Sequence, residues 1–272
     1  MTQRPGLAVG QTRWLKVALV VALMVPPVVA RGFDARQTTA IVRAVLMHPI
    51  VNDYAVLVVL AKYALLAVAV VCLIRPSLLG RVGLGYYAVV LVIMAVGQNV
   101  AVTADFGLAW LVGNTVLLLV VAGFVARDAV VRLTRVESGT LRRDRLWVLV
   151  PMALAWWFPY LVEGDVVRPG LGVHALVNES GLTYCMVTPV ILGLMILRSE
   201  GVHAPTLAVT AWVGLLFGVT NALTWFVLDA ASWWMGILHL PLLLLAAYGV
   251  WLSRRPRHAP SSDEPSSMSR ST

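Results

Sequence analysis

Two short segments of this chain carry the same reactive residue types at the same spacing. His48-Pro-Ile-Val-Asn52-Asp53 recurs 126 residues later as His174-Ala-Leu-Val-Asn178-Glu179. Histidine and asparagine each occur only five times in the chain, so a shared spacing of both is informative. An imidazole, a carboxamide and a carboxylate held together can ligate a divalent cation or bind a polar headgroup. They can also do general acid–base work, because imidazole titrates near neutral pH. If these segments are helical, His48 and Asn52 are four residues apart on one face, and so are His174 and Asn178. The candidate metal ligands are therefore His48, Asp53, His174 and Glu179, with a divalent cation as the candidate cofactor. The ligand spacings of structural zinc sites and the His-Glu-x-x-His motif are absent from the sequence.

The same residues have a structural reading. Asn and Asp are favoured helix caps. Asn52-Asp53 and Asn178-Glu179-Ser180 each stand just ahead of a long apolar run. Duplication of a capped helix would repeat them without any shared chemistry. The histidines fit this reading less well, since His is not a favoured cap.

The similarity extends further along the chain. Asn99 and Asn221 fall late in corresponding apolar runs, and Asp105, Trp110 and Gly113 align with Asp229, Trp234 and Gly236. Three polar groups lie deeper in apolar runs: Lys62, Asn114 and His239. Ionisable residues in such runs are candidates for function, because an unpaired charge in lipid is expensive. Lys62 has no evident carboxylate partner, which leaves it neutral, snorkelling or facing a wet cavity. His239 precedes Leu240-Pro241, where a kink opens a pocket or the imidazole bonds a neighbouring helix. The ligand or pathway set is thus Asn52, Asn178, Asn99, Asn221, Lys62, His239, Asp105 and Asp229.

The elements that carry these residues follow from composition. Of 272 residues, 60% are hydrophobic and 12% charged, against about 25% charged in soluble domains. The apolar residues form runs close to the roughly 20 needed to cross a bilayer as a helix. Unbroken rather than alternating runs select helices over a barrel. Eight spans are expected: Trp14–Ala30, Tyr54–Ile74, Val82–Val102, Phe106–Ala126, Leu146–Val162, Gly181–Leu197, Thr206–Leu228 and Ala231–Leu252. The fold class is an all-α polytopic membrane protein made of two tandem parallel four-helix repeats, residues 14–126 and 146–252. An even number of spans per half relates the repeats by a pseudo-two-fold axis along the membrane normal. Residues 127–145 form a basic linker, 1–13 an N-terminal segment, and 253–272 a polar tail with the composition of a disordered segment.

The net charge of +8 is distributed by topology and does not point to nucleic acid. With the N-terminus inside, sixteen of the 21 Lys and Arg residues fall in inner segments and four in outer ones. Both termini are then cytoplasmic and the protein is multi-pass in the cell membrane. Every repeated polar residue falls toward the outer face, together with seven acids: Asp34, Asp53, Asp105, Glu163, Asp165, Glu179 and Asp229. Cys72 and Cys185 fall near opposite faces, too far apart to pair. The first span resembles a signal peptide in its flanks, but its counterpart in the second half argues for retention. Trp156-Trp157 and Trp233-Trp234 read as interfacial aromatics. Asn178-Glu179-Ser180 matches a glycosylation sequon.

Three functional classes fit. The leading one is transport or binding of a small solute or cation at an outward-facing polar site between two repeats. The others are a membrane-embedded enzyme acting on a lipid or lipid-linked substrate at the outer leaflet, and a non-catalytic subunit of a membrane complex. The partners expected are the lipid bilayer and a small-molecule or ion substrate, with no nucleic acid. Oligomeric state is not encoded in any readable feature.

Overall fold

The computed structural model describes residues 13–137, 139, 141–163 and 166–255. The N-terminal residues 1–12, the tail 256–272 and the predicted outer acid Asp165 lie outside the described residues, as do the side chains of Glu163 and Glu179. Among the described residues the α-helices are, in chain order, α1 (Arg13–Leu23), α2 (Thr38–Met47), α3 (Ala55–Ile74), α4 (Leu84–Gly97), α5 (Val112–Val131), α6 (Leu149–Trp157), α7 (Val173–Val177), α8 (Tyr184–Leu197), α9 (Ala204–Leu223) and α10 (Trp233–Ser253). The chain is mostly helical. Among the described residues five helical stretches are long and apolar enough to cross a membrane, or six if Val173–Leu182 and Tyr184–Leu197, bent by 84°, form one broken span.

Each of the eight expected spans overlaps a helix, but three of those helices are short and, unlike the 14-residue α4 within its stretch Pro76–Gly97, are not part of a long unbent helical stretch. α1 has 11 residues, α6 has 9 and α8 has 14. At α1 and α6 the apolar run continues past the helix end as extended chain, and at α8 its start is taken up by a 3-10 turn, Glu179–Leu182. β1 (Val28–Val29), β2 (Val100–Thr103) and β3 (Gly107–Trp110) form one antiparallel sheet in the order β1-β3-β2. Its register places Val100 opposite Trp110 and Thr103 opposite Gly107. Gly107 turns the hairpin at φ +64, a conformation glycine adopts without penalty. A second antiparallel pair joins β4 (Tyr160–Glu163) to β5 (Val166–Pro169), with Tyr160 opposite Pro169. These segments are rich in valine, and β-branched residues favour strands. An open sheet edge is not tolerated against hydrocarbon. Both sheets accordingly lie at the helix ends, where α2 covers the first with Ile41 and Val45 against Ala101, Ala109 and Leu111.

α8 is the axis of the molecule. All of its residues except Cys185 are buried, and it packs against α3, α4, α6, α9 and α10. Around it, α9 pairs with α10 and α4 with α5. Small residues bring the helices close, as expected where packing rather than hydrophobic exclusion drives association. A Cβ on Gly249 would lie 2.9 Å from the Ala211 methyl, and one on Gly113 only 2.3 Å from the Ala22 carbonyl oxygen. The second contact seats α1 against α5. By contrast, α3 turns Val56, Leu60, Tyr63 and Ile74 outward, the pattern of a lipid-facing helix.

The two halves agree in element order only up to their third helix, each running through a helix, extended chain, a short helix and a 3-10 turn into α3 or α8; the β2–β3 hairpin between α4 and α5 has no counterpart between α9 and α10. The pairings α4–α5 and α1–α5 have counterparts in α9–α10 and α6–α10. The likeness stops at the third helix. α6 packs extensively on α8, whereas α1 makes no comparable contact with α3.

Candidate polar site at the sheet end of the bundle

Lys62 lies two turns into α3 and is fully buried. Its Nζ donates to Asn178 Oδ1 at 2.7 Å, to the Ala175 carbonyl, and to the Trp157 carbonyl at 3.4 Å. Three acceptors match the three N–H bonds of an ammonium group. The ammonium also sits 5.5 Å from the Trp156 ring centroid, a cation–π contact. Trp156 Nε1 in turn donates to the Lys62 carbonyl at 3.0 Å. No carboxylate pairs with Lys62 among the described residues. The lysine therefore does not snorkel; it joins α3 to α6, α7 and the turn ahead of α8.

Asn178 is the other half of this junction. It precedes the 3-10 turn Glu179–Leu182 and accepts from Ser180 N at 3.4 Å and Ser180 Oγ at 2.7 Å. Its Nδ2 donates to the Phe158 carbonyl at 2.7 Å and the Tyr160 carbonyl at 3.3 Å. Phe158 is one of two non-glycine residues with positive φ among the described residues, at +31. That kink ends α6, starts β4 and presents the Phe158 carbonyl to Asn178. Gly181 allows the turn to press onto α3: a Cβ there would lie 2.3 Å from Lys62 N and 2.4 Å from the Val58 carbonyl oxygen.

Above this junction opens a cleft of about 180 Å³. The first half contributes Asn52, Ala55 and Val58; the second contributes Tyr160, Leu161, His174, Val177 and Asn178. The structure thus unites Asn52, His174 and Asn178, with Lys62 beneath. His48 and Asp53 are exposed and do not line this cleft. Among the described residues no group of three His, Cys, Asp or Glu side chains is placed to hold a metal ion. Asn178 caps the 3-10 turn Glu179–Leu182, whereas α3 and α8 themselves begin after Tyr54 and Thr183 with no side-chain cap, so neither Asn52 nor Asp53 caps α3.

A second layer runs inward from Asn178. The Phe158 ring meets the buried His239 edge-on at 5.4 Å, and His239 stacks on Trp225 at 6.2 Å. His239 Nδ1 bonds the Met235 carbonyl at 2.8 Å, and a carbonyl only accepts, so Nδ1 carries the proton. Trp225 Nε1 donates to Asn221 Oδ1 at 3.2 Å, and Asn221 Nδ2 donates to the Phe217 carbonyl at 2.8 Å. Four predicted pathway residues, Lys62, Asn178, His239 and Asn221, therefore fall in one contiguous layer. The others do not join it. Asn99 donates to the Met94 carbonyl at 3.2 Å and closes the end of α4. Asp105 is exposed in the β2–β3 turn, and Asp229 stands between two irregular helical turns without a side-chain cap.

Sequence reasoning missed Trp156, Phe158, Tyr160 and Gly181 as site residues. Trp156 reads as an interfacial aromatic, yet its indole covers Lys62. The one signal in the sequence was Pro159, which ends the apolar run three residues after Trp156. No family model, no curated protein and no solved structure matches this chain.

Proposed function

We propose that this integral membrane protein binds a small polar solute in the cleft between its two halves and that the cleft is the entry to a transport site. The observation that carries the reading is the meeting of Asn52 with His174 and Asn178 directly above a buried, hydrogen-bonded lysine. Sites between the halves of duplicated helical bundles are a recurrent transporter arrangement. That is support from architecture rather than from chemistry. The element order common to both halves up to α3 and α8 is what supports the tandem-repeat reading, in which α1 and α6 are shortened first spans; the outward orientation of the cleft rests on the Lys and Arg distribution alone. Carboxamide, imidazole and phenol groups line the opening, and one of these carboxamides, Asn178, is bonded by the buried Lys62 ammonium. This favours a neutral or anionic solute over a divalent cation.

The test is thermal unfolding of the detergent-purified protein with acetate, lactate, glycine, glycerol or zinc chloride. A midpoint raised by one of the first four in wild type, and unchanged in His174→Ala and Asn52→Leu, is the expected result. Stabilisation by zinc alone, lost on His48→Ala/His174→Ala substitution, would favour the cation site instead. No solute-dependent rise would count against a binding cleft.

A further inference from the structure

At the opposite end of α8 two arginines are buried without a full set of partners. Arg145 is 6% exposed and Arg198 is 8% exposed. Arg145 Nη1 donates to the Ile196 carbonyl at 3.0 Å and to Ser199 Oγ, so its guanidinium straddles the turn that contains Arg198. The Nε of both arginines is buried and has no hydrogen-bond partner. Asp144 Oδ2 stands 3.9 Å from Arg145 Nε, beyond hydrogen-bond range. The neighbouring acids are already engaged: Arg142 binds Asp144 at 3.1 Å and Glu200 at 2.8 Å. Arg198 has no ion pair among the described residues. Burial pulls its pKa below the ordinary value, but a guanidinium cannot in practice resolve the conflict by losing its proton. An orphaned, charged donor of this kind calls for a missing partner.

The geometry points to a phosphate-binding site formed by Arg145, Arg198 and Ser199 at the C-terminal end of α8. Arg198 offers a forked donor that matches phosphate oxygens, Arg145 adds the N–H groups not spent on Ile196 and Ser199, and the Ser199 hydroxyl, which accepts from Arg145, keeps its own O–H to donate. An anion there also relieves the positive charge that this end of the molecule carries in excess. The phosphate is either the headgroup of an anionic phospholipid or free inorganic phosphate. The site lies away from the cleft and does not depend on it.

The test uses the full chain in nanodiscs of phosphatidylcholine, with or without phosphatidylglycerol, and separately with inorganic phosphate. Phosphatidylglycerol should raise the unfolding midpoint of wild type and of Arg143→Gln, an exposed arginine on the same segment, but not of Arg198→Gln. An Arg198-dependent rise from inorganic phosphate in phosphatidylcholine alone assigns the site to the free anion. Equal loss in Arg143→Gln and Arg198→Gln would reduce the effect to diffuse charge and overturn the site, as would no rise in wild type. If Arg198→Gln does not fold, native mass spectrometry of wild type decides. Retention of a single phosphatidylglycerol or phosphate adduct supports the site, and retention of none overturns it.

Discussion

Lys62 and Asn178 lie 116 residues apart and are joined by a 2.7 Å hydrogen bond from ammonium to carboxamide. The bond ties α3 of the first half to the turn that starts α8 in the second. Asn178 spends its remaining capacity on the backbone at Phe158, Tyr160 and Ser180. One carboxamide thus fixes the buried charge, the end of α6 and the start of α8 together.

Removal of either partner should therefore be felt by the other. A hydrogen bond to a charged group contributes about 1.5–3 kcal/mol. Asn178→Ala should destabilise by about 2 kcal/mol or more, and Lys62→Met should be less damaging in that background than in wild type. A double-mutant cycle by chemical unfolding in detergent should give a coupling of about 1–3 kcal/mol. Strictly additive effects would mean that the two residues do not interact.

Gly181→Ala should loosen the same junction from the backbone side. The new methyl would meet Lys62 N and the Val58 carbonyl at 2.3 and 2.4 Å, both main-chain atoms of α3. The expected result is a large drop in unfolding midpoint. Gly123→Ala in α5 provides the contrast, because nothing lies within 4 Å of a Cβ there. It should be neutral or stabilising by up to about 1 kcal/mol, the intrinsic helix preference.

The sequon at Asn178 should remain unmodified in a glycosylating host. Its Nδ2, the atom that would carry the glycan, donates to the Phe158 and Tyr160 carbonyls in the fold. Intact-mass measurement before and after glycosidase treatment checks this. A mass loss on treatment would contradict the placement of Asn178.

The exposed pair of Arg142 and Asp144 sets a weak acid dependence. The hydrogen bond from Arg142 chiefly holds the Asp144 carboxyl below its ordinary value of 3.8. Its stabilising effect is present above that value and is lost as pH falls through the lower folded value. Arg142→Gln should then be slightly less stable than wild type at neutral pH, and the two should converge in strong acid. Added salt should shrink the difference at neutral pH, since exposed pairs are screened. A gap that widens on acidification would contradict the assignment.

Composition and the long apolar runs made the helical, membrane-compatible character readable, because a charge-poor chain has few alternatives. The paired His-x-x-x-Asn segments led to Asn52, His174 and Asn178 for a sound reason: polar residues stand out against an apolar background. The partner of Lys62 was not readable. A lysine in an apolar run suggests a carboxylate partner, whereas the fold supplies two carbonyls and a carboxamide from two segments 95 to 116 residues away. The shortened helices escaped notice because Val-rich runs suit a helix in lipid and a strand at its edge equally well. Asp105 with Gly107, and Gly164-Asp165, were the turn signals that separate the two. The unequal settings of α3 and α8 lie beyond any repeat pattern, since repetition describes each half alone and not how the halves meet.

The most direct test of the central claim, a cleft shared by both halves at one face, is sidedness labelling of Asn52→Cys and His174→Cys with a membrane-impermeant maleimide. Arg143→Cys marks the opposite end, and wild type with Cys72 and Cys185 sets the background. In intact membranes both cleft cysteines should label from the same side, with Arg143→Cys labelled only from the other. Labelling of positions 52 and 174 from opposite sides, or of neither without unfolding, would contradict a common cleft.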